Sequence, residues 1–471
     1  MPIHIVVAFT HKTFGIGSQG GIPWNISADL AHFFKVTNHS LVVMGRKTYF
    51  SIPEDKRPLK NRWNVVLTSS PKEYKSTGNL QFLGYDEIDE FIKINMNQDI
   101  YICGGSTMYE KFISLADTIH ATIIEKEFTN LDTFFPSKGL ERFEIADYSE
   151  LQFSEEEKCN YRFITYKKSN IVHGEHVYLN LMRDIMREGS GPHGLPRPDR
   201  TGVCTYSVFA RQLRFDISKS VPFLTTKLLA WKTVTKELLW FLRGQTDSKV
   251  LESQGVNIWK GNTTREFLDN RGLSEYKEGD TGPLYSTSFR AFNCEYKGCE
   301  HNHIGEGFDQ IENLIKGLKE DPFSRRHLLT TFNPAVVSKC VLAPCHGIAI
   351  QFYVDVDEED GKHLSCHVYC RSSDTFLGLS FNIASYSVFT YIIAKLCDMK
   401  PKELIVSTGD THIYTNHVDQ VMLQLSRSPM PFPVLKVSDT IKEKKIEDIS
   451  MKDFTLVGYL HHPSIKADMA V

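Results

Sequence analysis

Apolar residues along the first 168 positions fall into short β-rich runs separated by stretches with helical spacing. The runs predict strands at 3–9, 41–44, 64–67, 100–103, 119–124 and 162–167. Helical spacing is read at 28–36, with Ser27 as its cap, and at 106–116. This alternation predicts an α/β N-terminal domain, a mixed and mostly parallel sheet flanked by helices. A polar stretch then interrupts the pattern. It places a short linker at 169–174, between a domain over 1–168 and a second over 175–471. In the second, helices are read at 175–187, 228–242, 308–318 and 383–396, the last stopping before Asp398. Strands are read at 328–332, 347–354 and 363–369, which predicts an α+β domain built around a sheet. No repeat of fixed period is visible.

Composition narrows the classes. A chain of 471 residues suits two or three domains. Its 41% hydrophobic and 24% charged content excludes disordered and collagen-like classes. A net charge of −3 gives no global basic field, so no specific nucleic acid partner is expected, while small anions need only a local cluster of Arg or Lys. The apolar runs are too short to span a membrane, and the N-terminus lacks a basic segment and a cleavage site. The ten Cys are irregularly spaced, which reads as free thiols in a reducing, cytoplasmic setting.

Three glycine motifs follow predicted strands of the first domain. They are Gly15-Ile16-Gly17 with Gly20-Gly21-Ile22-Pro23-Trp24, then Gly45-Arg46-Lys47-Thr48, then Gly104-Gly105-Ser106. Each alone is a weak phosphate signal, right about one time in four. Three at one end of a sheet point to a ligand crevice. Asp29 is either a first-turn acid favoured by the helix dipole or a recessed carboxylate of raised pKa that binds an amidine-like ring edge.

Taken in order, these residues resemble dihydrofolate reductase across almost all of 1–168. Further matching pieces are Met44, Ser51-Ile52-Pro53, Arg57-Pro58-Leu59-Lys60-Asn61-Arg62, Cys103 and Asp132-Thr133-Phe134-Phe135-Pro136. The resemblance implies hydride transfer from NADPH to dihydrofolate. It implies that Asp29 binds the pteridine, that Arg62 pairs with the folate α-carboxylate, and that Phe33, Ile52, Ile22 and Thr133 line the site. For the cofactor it implies Arg46 and Thr48 at the phosphates, together with Ala8, Gly15, Ile16, Gly17, Gly45, Lys47, Thr68, Gly104, Gly105, Ser106 and Tyr109. Tyr49 stands where the family often has Trp, and Cys103 where Ile or Val is common; both read as packing changes.

In the second domain Cys345, in Leu342-Ala343-Pro344-Cys345-His346, is either a buried structural thiol or a nucleophile. A nucleophile needs thiolate, hence nearby cations, and Arg200, Arg325, Arg326 and Arg371 are the candidates. The Arg325-Arg326 pair alone is surface more often than phosphate site, by about four to one. Glu237 lies on an apolar helix and must be exposed, paired or functional. Asn382 is either a helix N-cap or a reader of a pyrimidine edge.

This set resembles thymidylate synthase over 175–471. The matches include Asp199-Arg200-Thr201-Gly202, Phe223-Leu224-Thr225-Thr226-Lys227, Glu237-Leu238-Leu239-Trp240-Phe241, Ile258-Trp259, Gly378-Leu379-Ser380-Phe381-Asn382-Ile383-Ala384-Ser385-Tyr386, Gly409-Asp410-Thr411-His412-Ile413-Tyr414 and the C-terminal Ile465–Val471 stretch. The resemblance implies that the Cys345 thiolate attacks C6 of dUMP and that C5 takes a methylene from the co-substrate 5,10-methylenetetrahydrofolate. Glu237 would organise water and proton transfers, and Tyr285 would help remove the C5 proton. Arg200, Arg371 and Ser372 would hold the phosphate, with Arg325 and Arg326 reaching the partner's site in a homodimer formed through this domain. His346 and Asn382 would meet the substrate, His412 and Tyr414 the ribose, and Trp259 and Asp374 the folate. The pair of domains resembles the bifunctional dihydrofolate reductase–thymidylate synthase chains of protists and plants, one half reducing what the other releases.

Several synthase positions depart from the family pattern. Cys370 replaces a Gln, Ser373 a Cys, Lys260 an Asp, Leu228 an Arg and Phe332 a Trp, and Tyr285-Ser286-Thr287-Ser288-Phe289-Arg290 departs from Tyr-Gly-x-Gln-Trp-Arg. Loss of the Gln amide removes hydrogen bonds worth about 1–3 kcal/mol where buried. The departures motivate an alternative, an active reductase with an impaired or scaffold-like synthase. Cys294-x4-Cys299-x-His301-x-His303 has unusual spacing for zinc, a reading worth about one in ten, so no metal site is expected.

Overall fold

The computed structural model describes residues 2–95, 97–189, 195–199, 202–359 and 361–469. The chain divides into two compact units. The first comprises Met1–His173, Ser428–Phe432 and Gly458–His461; the second comprises Gly174–Arg427, Pro433–Val457 and His462–Val471.

The strands of the first unit are β1 (Ile3–Thr10), β2 (Gly15–Gly17), β3 (Leu41–Gly45), β4 (Trp63–Leu67), β5 (Leu80–Leu83), β6 (Ile100–Ile102), β7 (Thr118–Ile124), β8 (Thr133–Phe134), β9 (Phe143–Tyr148), β10 (Gln152–Ser154) and β11 (Cys159–Lys168). Its helices are α1 (Ser27–Thr37), α2 (Arg46–Ser51), α3 (Ile88–Ile94) and α4 (Ser106–Phe112). The main sheet runs β10-β11-β7-β1-β6-β3-β4-β5, with β9 also on β11. From β7 to β5 the neighbours are parallel, and the strands around β11 are antiparallel. Leu41, Val42, Val43, Val65, Val66 and Leu67 are all fully buried. Unbroken apolar runs of this kind suit central parallel strands, which are covered on both faces.

The second unit contains α5 (Glu175–Glu188), β12 (Thr205–Asp216), α6 (Trp231–Leu242), α7 (Ser248–Glu252), α8 (Arg265–Asn270), α9 (Tyr285–Arg290), α10 (Gln310–Glu320), β13 (Leu328–Leu329), β14 (Ala349–Asp357), β15 (Gly361–Asp374), α11 (Gly378–Leu396), β16 (Lys400–Tyr414), α12 (Val418–Leu425), β17 (Val434–Val437) and β18 (Phe454–Val457). Its larger sheet runs β12-β16-β15-β14-β13, antiparallel except for the β15–β16 pair. α11 packs on β15 and β16, and α5 on β12 and β16. Alternation decides which side chains face these helices: Ile350, Phe352, Val354, Cys366, Val368, Leu404 and Val406 are buried. The intervening residues form the other face. Leu328, Gln351, His367, Ile405 and Arg214 lie in one cross-strand row, and Tyr369, Ser407 and Gln212 in the next. This face is open, with Leu328 56%, Tyr353 62% and Tyr369 37% exposed.

Five sequence expectations need correction. Ser27 does not cap α1: Ile26 holds that position without a side-chain bond, and Ser27 instead joins the Glu156 backbone amide and Ser154 in hydrogen-bonding the Glu156 carboxylate, which depresses its pKa. α4 stops at Phe112, and the apolar spacing continues because Ile113 and Ala116 pack inward from a turn. α6 starts at Trp231, because residues 225–228 turn over the Glu175 carboxylate. β13 is cut to two residues because the Thr330 amide and carbonyl bond the Gln310 side chain instead of a neighbouring strand. α11 starts at Gly378, preceded by Asp374, which accepts from the Phe376 and Leu377 amides. Asn382 therefore sits inside α11 and is not its N-cap.

Glu175 ties α5 to the 225–226 turn with no solvent exposure. Its carboxylate accepts from the amide and hydroxyl of Thr225 (2.9 and 2.6 Å) and of Thr226 (2.9 and 2.5 Å). Burial still raises its pKa. Glu175→Ala strands these buried donors and is expected to cost about 3–5 kcal/mol, read from the urea midpoint of the full chain, with Glu175→Gln recovering part of the loss.

Candidate active sites

In the first unit the ends of the parallel strands bring the glycine motifs together. The Gly45 amide donates to the Gly104 carbonyl at 2.8 Å, and the Cys103 amide to the Val43 carbonyl at 2.8 Å. Gly104 has φ +108°, and a Cβ there would sit 3.2 Å from the Tyr109 hydroxyl. A Cβ at Gly105 would sit 3.4 Å from the Thr48 hydroxyl. Glycine thus leaves bare backbone between β3 and α4, where Ser106 opens the helix. Tyr109 is buried and donates to the Val6 carbonyl at 2.9 Å. Lys47 is exposed, and Arg46 is exposed and donates to the Tyr74 hydroxyl at 3.0 Å. Thr68 is buried at the end of β4, its hydroxyl accepting from the Ser70 amide. Gly15 and Gly17 pair with β8, and a Cβ on Gly17 would lie 3.4 Å from Thr133 Cβ. An edge with bare backbone and two cations fits the phosphates of a dinucleotide.

Asp29 lies in the first turn of α1, and Thr122 of β7 donates to its Oδ1 at 2.6 Å. Burial raises the Asp29 pKa, and the hydrogen bond from Thr122 only partly offsets it. Ala8 pairs with Thr122 across β1 and β7 and packs against the cluster holding Trp24. Arg62 is buried beside Phe33 and Phe34, 5.7 and 5.2 Å from their ring centroids. Its Nε donates to the Lys60 carbonyl and its Nη1 to the Thr37 hydroxyl, leaving Nη2 without a partner among the described residues. Ile52 is half-buried, its carbonyl held by Arg57, and Ile22 stands 62% exposed. Tyr49 is buried with Val42, Met44 and Val66, so its ring is packing.

In the second unit the Tyr285 hydroxyl accepts from the Cys345 amide at 3.0 Å and lies 3.6 Å from Cys345 Sγ. Arg371 donates from Nε to the Pro344 carbonyl (2.7 Å) and from Nη2 to the Ala343 carbonyl (3.0 Å), which fixes it against the thiol loop. The Ser372 amide reaches the Cys345 carbonyl at 3.5 Å. Glu237 accepts from the Trp259 indole at 2.8 Å, and burial pushes its pKa up to about 7. Trp259 therefore orients the acid. His346 stacks on Tyr285, and burial drops its pKa to about 4. His412 bonds Asp410 at 3.0 Å and meets Tyr414 edge-on. The Asn382 amide has no hydrogen-bond partner among the described residues, whereas Asp374 is engaged at the start of α11.

The expected clustering of arginines on the sulfur is only partly realised. Burial dominates and raises the Cys345 pKa; the Tyr285 hydrogen bond and Arg371 oppose it, and Glu237 adds to it. Arg325 and Arg326 are exposed on the loop between α10 and β13. Arg200 and the last two residues of the C-terminal motif lie outside the described residues. Sequence reasoning missed Thr122, whose bond from β7 to Asp29 of α1 joins residues 93 positions apart. Among the described residues no group of three or more His, Cys, Asp or Glu could hold a metal ion. His303 Nε2 accepts from the Lys297 amide, and His301 Nε2 bonds Glu306.

The family model for dihydrofolate reductase matches residues 2–168, and that for thymidylate synthase matches residues 176–471. The chain is 38% identical to the bifunctional dihydrofolate reductase-thymidylate synthase of Paramecium tetraurelia, over 98% of this chain and 100% of that protein. The correspondingly named proteins of Zea mays and Leishmania major are 35% and 36% identical, each over 99% of this chain and over 96% and 95% of their own lengths.

The Glu237 carboxyl titrates at about 7 when folded, against an ordinary value of 4.5. Its stabilising contribution is full below the ordinary value and is lost as pH rises through the folded one. Glu237→Gln is therefore expected to gain melting temperature on the parent between about pH 5 and about pH 8. A difference that stays constant over that range contradicts the raised value.

Proposed function

The chain belongs to the bifunctional dihydrofolate reductase–thymidylate synthase family, and from that premise we propose how its residues divide the work. The enzyme methylates dUMP to dTMP with 5,10-methylenetetrahydrofolate and reduces the dihydrofolate so formed with NADPH. The reductase is assigned to 1–168, the linker to 169–174 and the synthase to 175–471.

In the synthase, the contact between Tyr285 and both the amide and the sulfur of Cys345 carries the assignment. The Cys345 sulfur adds to C6 of the pyrimidine, and the displaced electron pair moves to C5, which bonds the folate methylene. Tyr285 assists removal of the C5 proton. Glu237, titrating close to neutrality, exchanges protons through water. Hydride from the folate completes the methyl group, freeing Cys345 and dihydrofolate. Arg371, Ser372 and Arg200 take the phosphate, and Asn382, whose amide is unengaged, takes the uracil edge. His346 adjoins the ring, His412 and Tyr414 hold the ribose, and Trp259 and Asp374 meet the folate.

In the reductase, NADPH when bound supplies the hydride. Asp29, held by Thr122, grips the amidine-like edge of the pteridine and retains a proton more readily than an exposed carboxylate. The unengaged Nη2 of Arg62 faces the folate α-carboxylate. Phe33, Ile52, Ile22 and Thr133 line the ring site, while the strand-end glycines with Arg46, Lys47, Thr48, Ser106, Thr68 and Tyr109 receive the cofactor.

The open sheet face of the synthase supports a homodimer, since Tyr353, Leu328 and Tyr369 stand exposed along its cross-strand rows. Arg325 and Arg326, exposed on the loop between α10 and β13, are the residues offered to the partner's site. A cytosolic enzyme is the reading favoured by ten free thiols. No helix of the described residues is long and apolar enough to cross a membrane.

Cys345→Ser should abolish thymidylate formation and leave dihydrofolate reduction nearly intact, while Asp29→Asn should do the converse. Assay of both reactions on each purified protein checks this, and loss of both activities in a folded variant contradicts the division of labour. Tyr353→Arg should shift the sedimenting species from dimer toward monomer, with thymidylate synthesis falling alongside.

A further inference from the structure

Behind Cys345 the rings form a linked series. Tyr285 lies nearly parallel to the His346 imidazole, with centroids 4.3 Å apart and 12° between planes. Tyr386, buried in α11, meets the same imidazole edge-on at 5.7 Å and 77°. Its hydroxyl oxygen is 2.8 Å from His346 Nδ1. Gly347 makes this approach possible: it has φ +65°, and a Cβ there would lie 2.3 Å from the Tyr386 oxygen.

The direction of that hydrogen bond follows from counting donors. Burial keeps the imidazole neutral, so it carries one N–H and one bare nitrogen. If Nδ1–H donated to Tyr386, the phenolic proton would need another acceptor, and none lies within reach among the described residues. A buried O–H left unpaired is costly. If Tyr386 donates instead, its proton is satisfied and the imidazole proton moves to Nε2. That nitrogen has no partner among the described residues.

We propose that Tyr386 is a positioning residue of the synthase: its hydroxyl donates to His346 Nδ1 and holds the imidazole in the neutral Nε2–H tautomer, so that His346 meets the pyrimidine as a hydrogen-bond donor. The inference rests on the reading of Cys345 as the nucleophile. The same phenol acts on the thiol indirectly, since the ring it fixes is stacked on Tyr285, and Tyr285 holds the Cys345 amide and sulfur.

Tyr386→Phe keeps the ring and removes only the O–H. The expected result on the full chain is a fall of about 10- to 100-fold in kcat for thymidylate synthesis, with the KM for dUMP changed by less than about threefold. Histidine-labelled 15N spectra should give the parent a protonated Nε2 and a bare Nδ1 at His346, and the variant an averaged pair. A double-mutant cycle separates positioning from packing. His346→Gln offers an amide donor with no tautomer to set, so adding Tyr386→Phe to it should cost no more than about twofold. An equal loss in both backgrounds, an unchanged kcat, or a protonated Nδ1 in the parent overturns the proposal. Failure of the nucleophile assignment would look different, as thymidylate formation surviving in Cys345→Ser.

Discussion

Desolvation around Cys345 is the constraint on which the synthase centre depends. It acts on three groups at once: it raises the thiol, lifts Glu237 to about 7 and drops His346 to about 4. All three are thereby driven toward their uncharged forms. Against this stands Arg371, whose guanidinium is fixed on the carbonyls of Ala343 and Pro344. One guanidinium lowers the thiol pKa but does not outweigh burial in the single chain. A neutral centre of this kind leaves charge to be introduced by what binds there, and a water-poor surrounding makes each such charge count for more. Glu237 gains most: a carboxyl near neutral pKa can give or take a proton with little driving-force penalty in either direction.

The two units use sheet architecture in opposite ways. In the first, parallel strands end together, so the free amides and glycine turns after β3 and β6 share one edge, tied by the Gly45–Gly104 hydrogen bond. A single carboxylate, Asp29, is set beside that edge by a helix that follows a glycine-rich loop. In the second, β15 contributes from both faces of its sheet, because Arg371 and Ser372 are adjacent and alternate. α11 covers the inner side and supplies Tyr386 and Asn382, while β15 supplies Arg371 and Ser372 and the loop before β14 supplies Cys345. The outer side of the same strands mixes exposed Leu328, Tyr353 and Tyr369 with polar Gln351, His367 and Gln212. Alternation along β14 and β15 therefore builds a covered side and an exposed side from adjacent residues.

Much of this was legible in the sequence where one physical signal dominates a local window. β1, β3, β4 and β7 are apolar runs, and each was located within about two residues. The glycine turns and the thiol loop announced themselves by composition. β12 and β16 were not read, because charged and polar residues such as Arg214 and Glu403 alternate with the core positions and the strands are long. The start of α11 was placed late because its signal is Asp374, a residue on the preceding strand. Site residues were legible as types, but their partners were not. Thr122 on Asp29, Trp259 on Glu237 and Tyr386 on His346 are contacts across 93, 22 and 40 positions, and no window covers them.

The departures from the synthase pattern bear on whether that half works. Lys260 is exposed and Leu228 is 43% exposed, so both exchange one surface group for another. Phe289 is buried and stacks on Phe389 at 5.9 Å, which keeps an aromatic filling where Trp is usual. Cys370 differs in kind, because it is fully buried and electrostatically coupled to Cys345. Burial raises its own pKa steeply, so it stays a neutral thiol and adds no charge beside the nucleophile. It lies on β15, immediately before Arg371, and that arginine keeps both of its carbonyl contacts. Lys260, Leu228, Phe289 and Cys370 thus fall on surface or packing positions, Ser373 leaves a buried hydroxyl without a partner among the described residues, and the Tyr285–Cys345 and Trp259–Glu237 contacts are formed despite them. An inert scaffold would have no need to hold a carboxyl near neutrality beside a thiol; this chain does so by burying Glu237, while the Trp259 indole orients the carboxyl and partly offsets the shift.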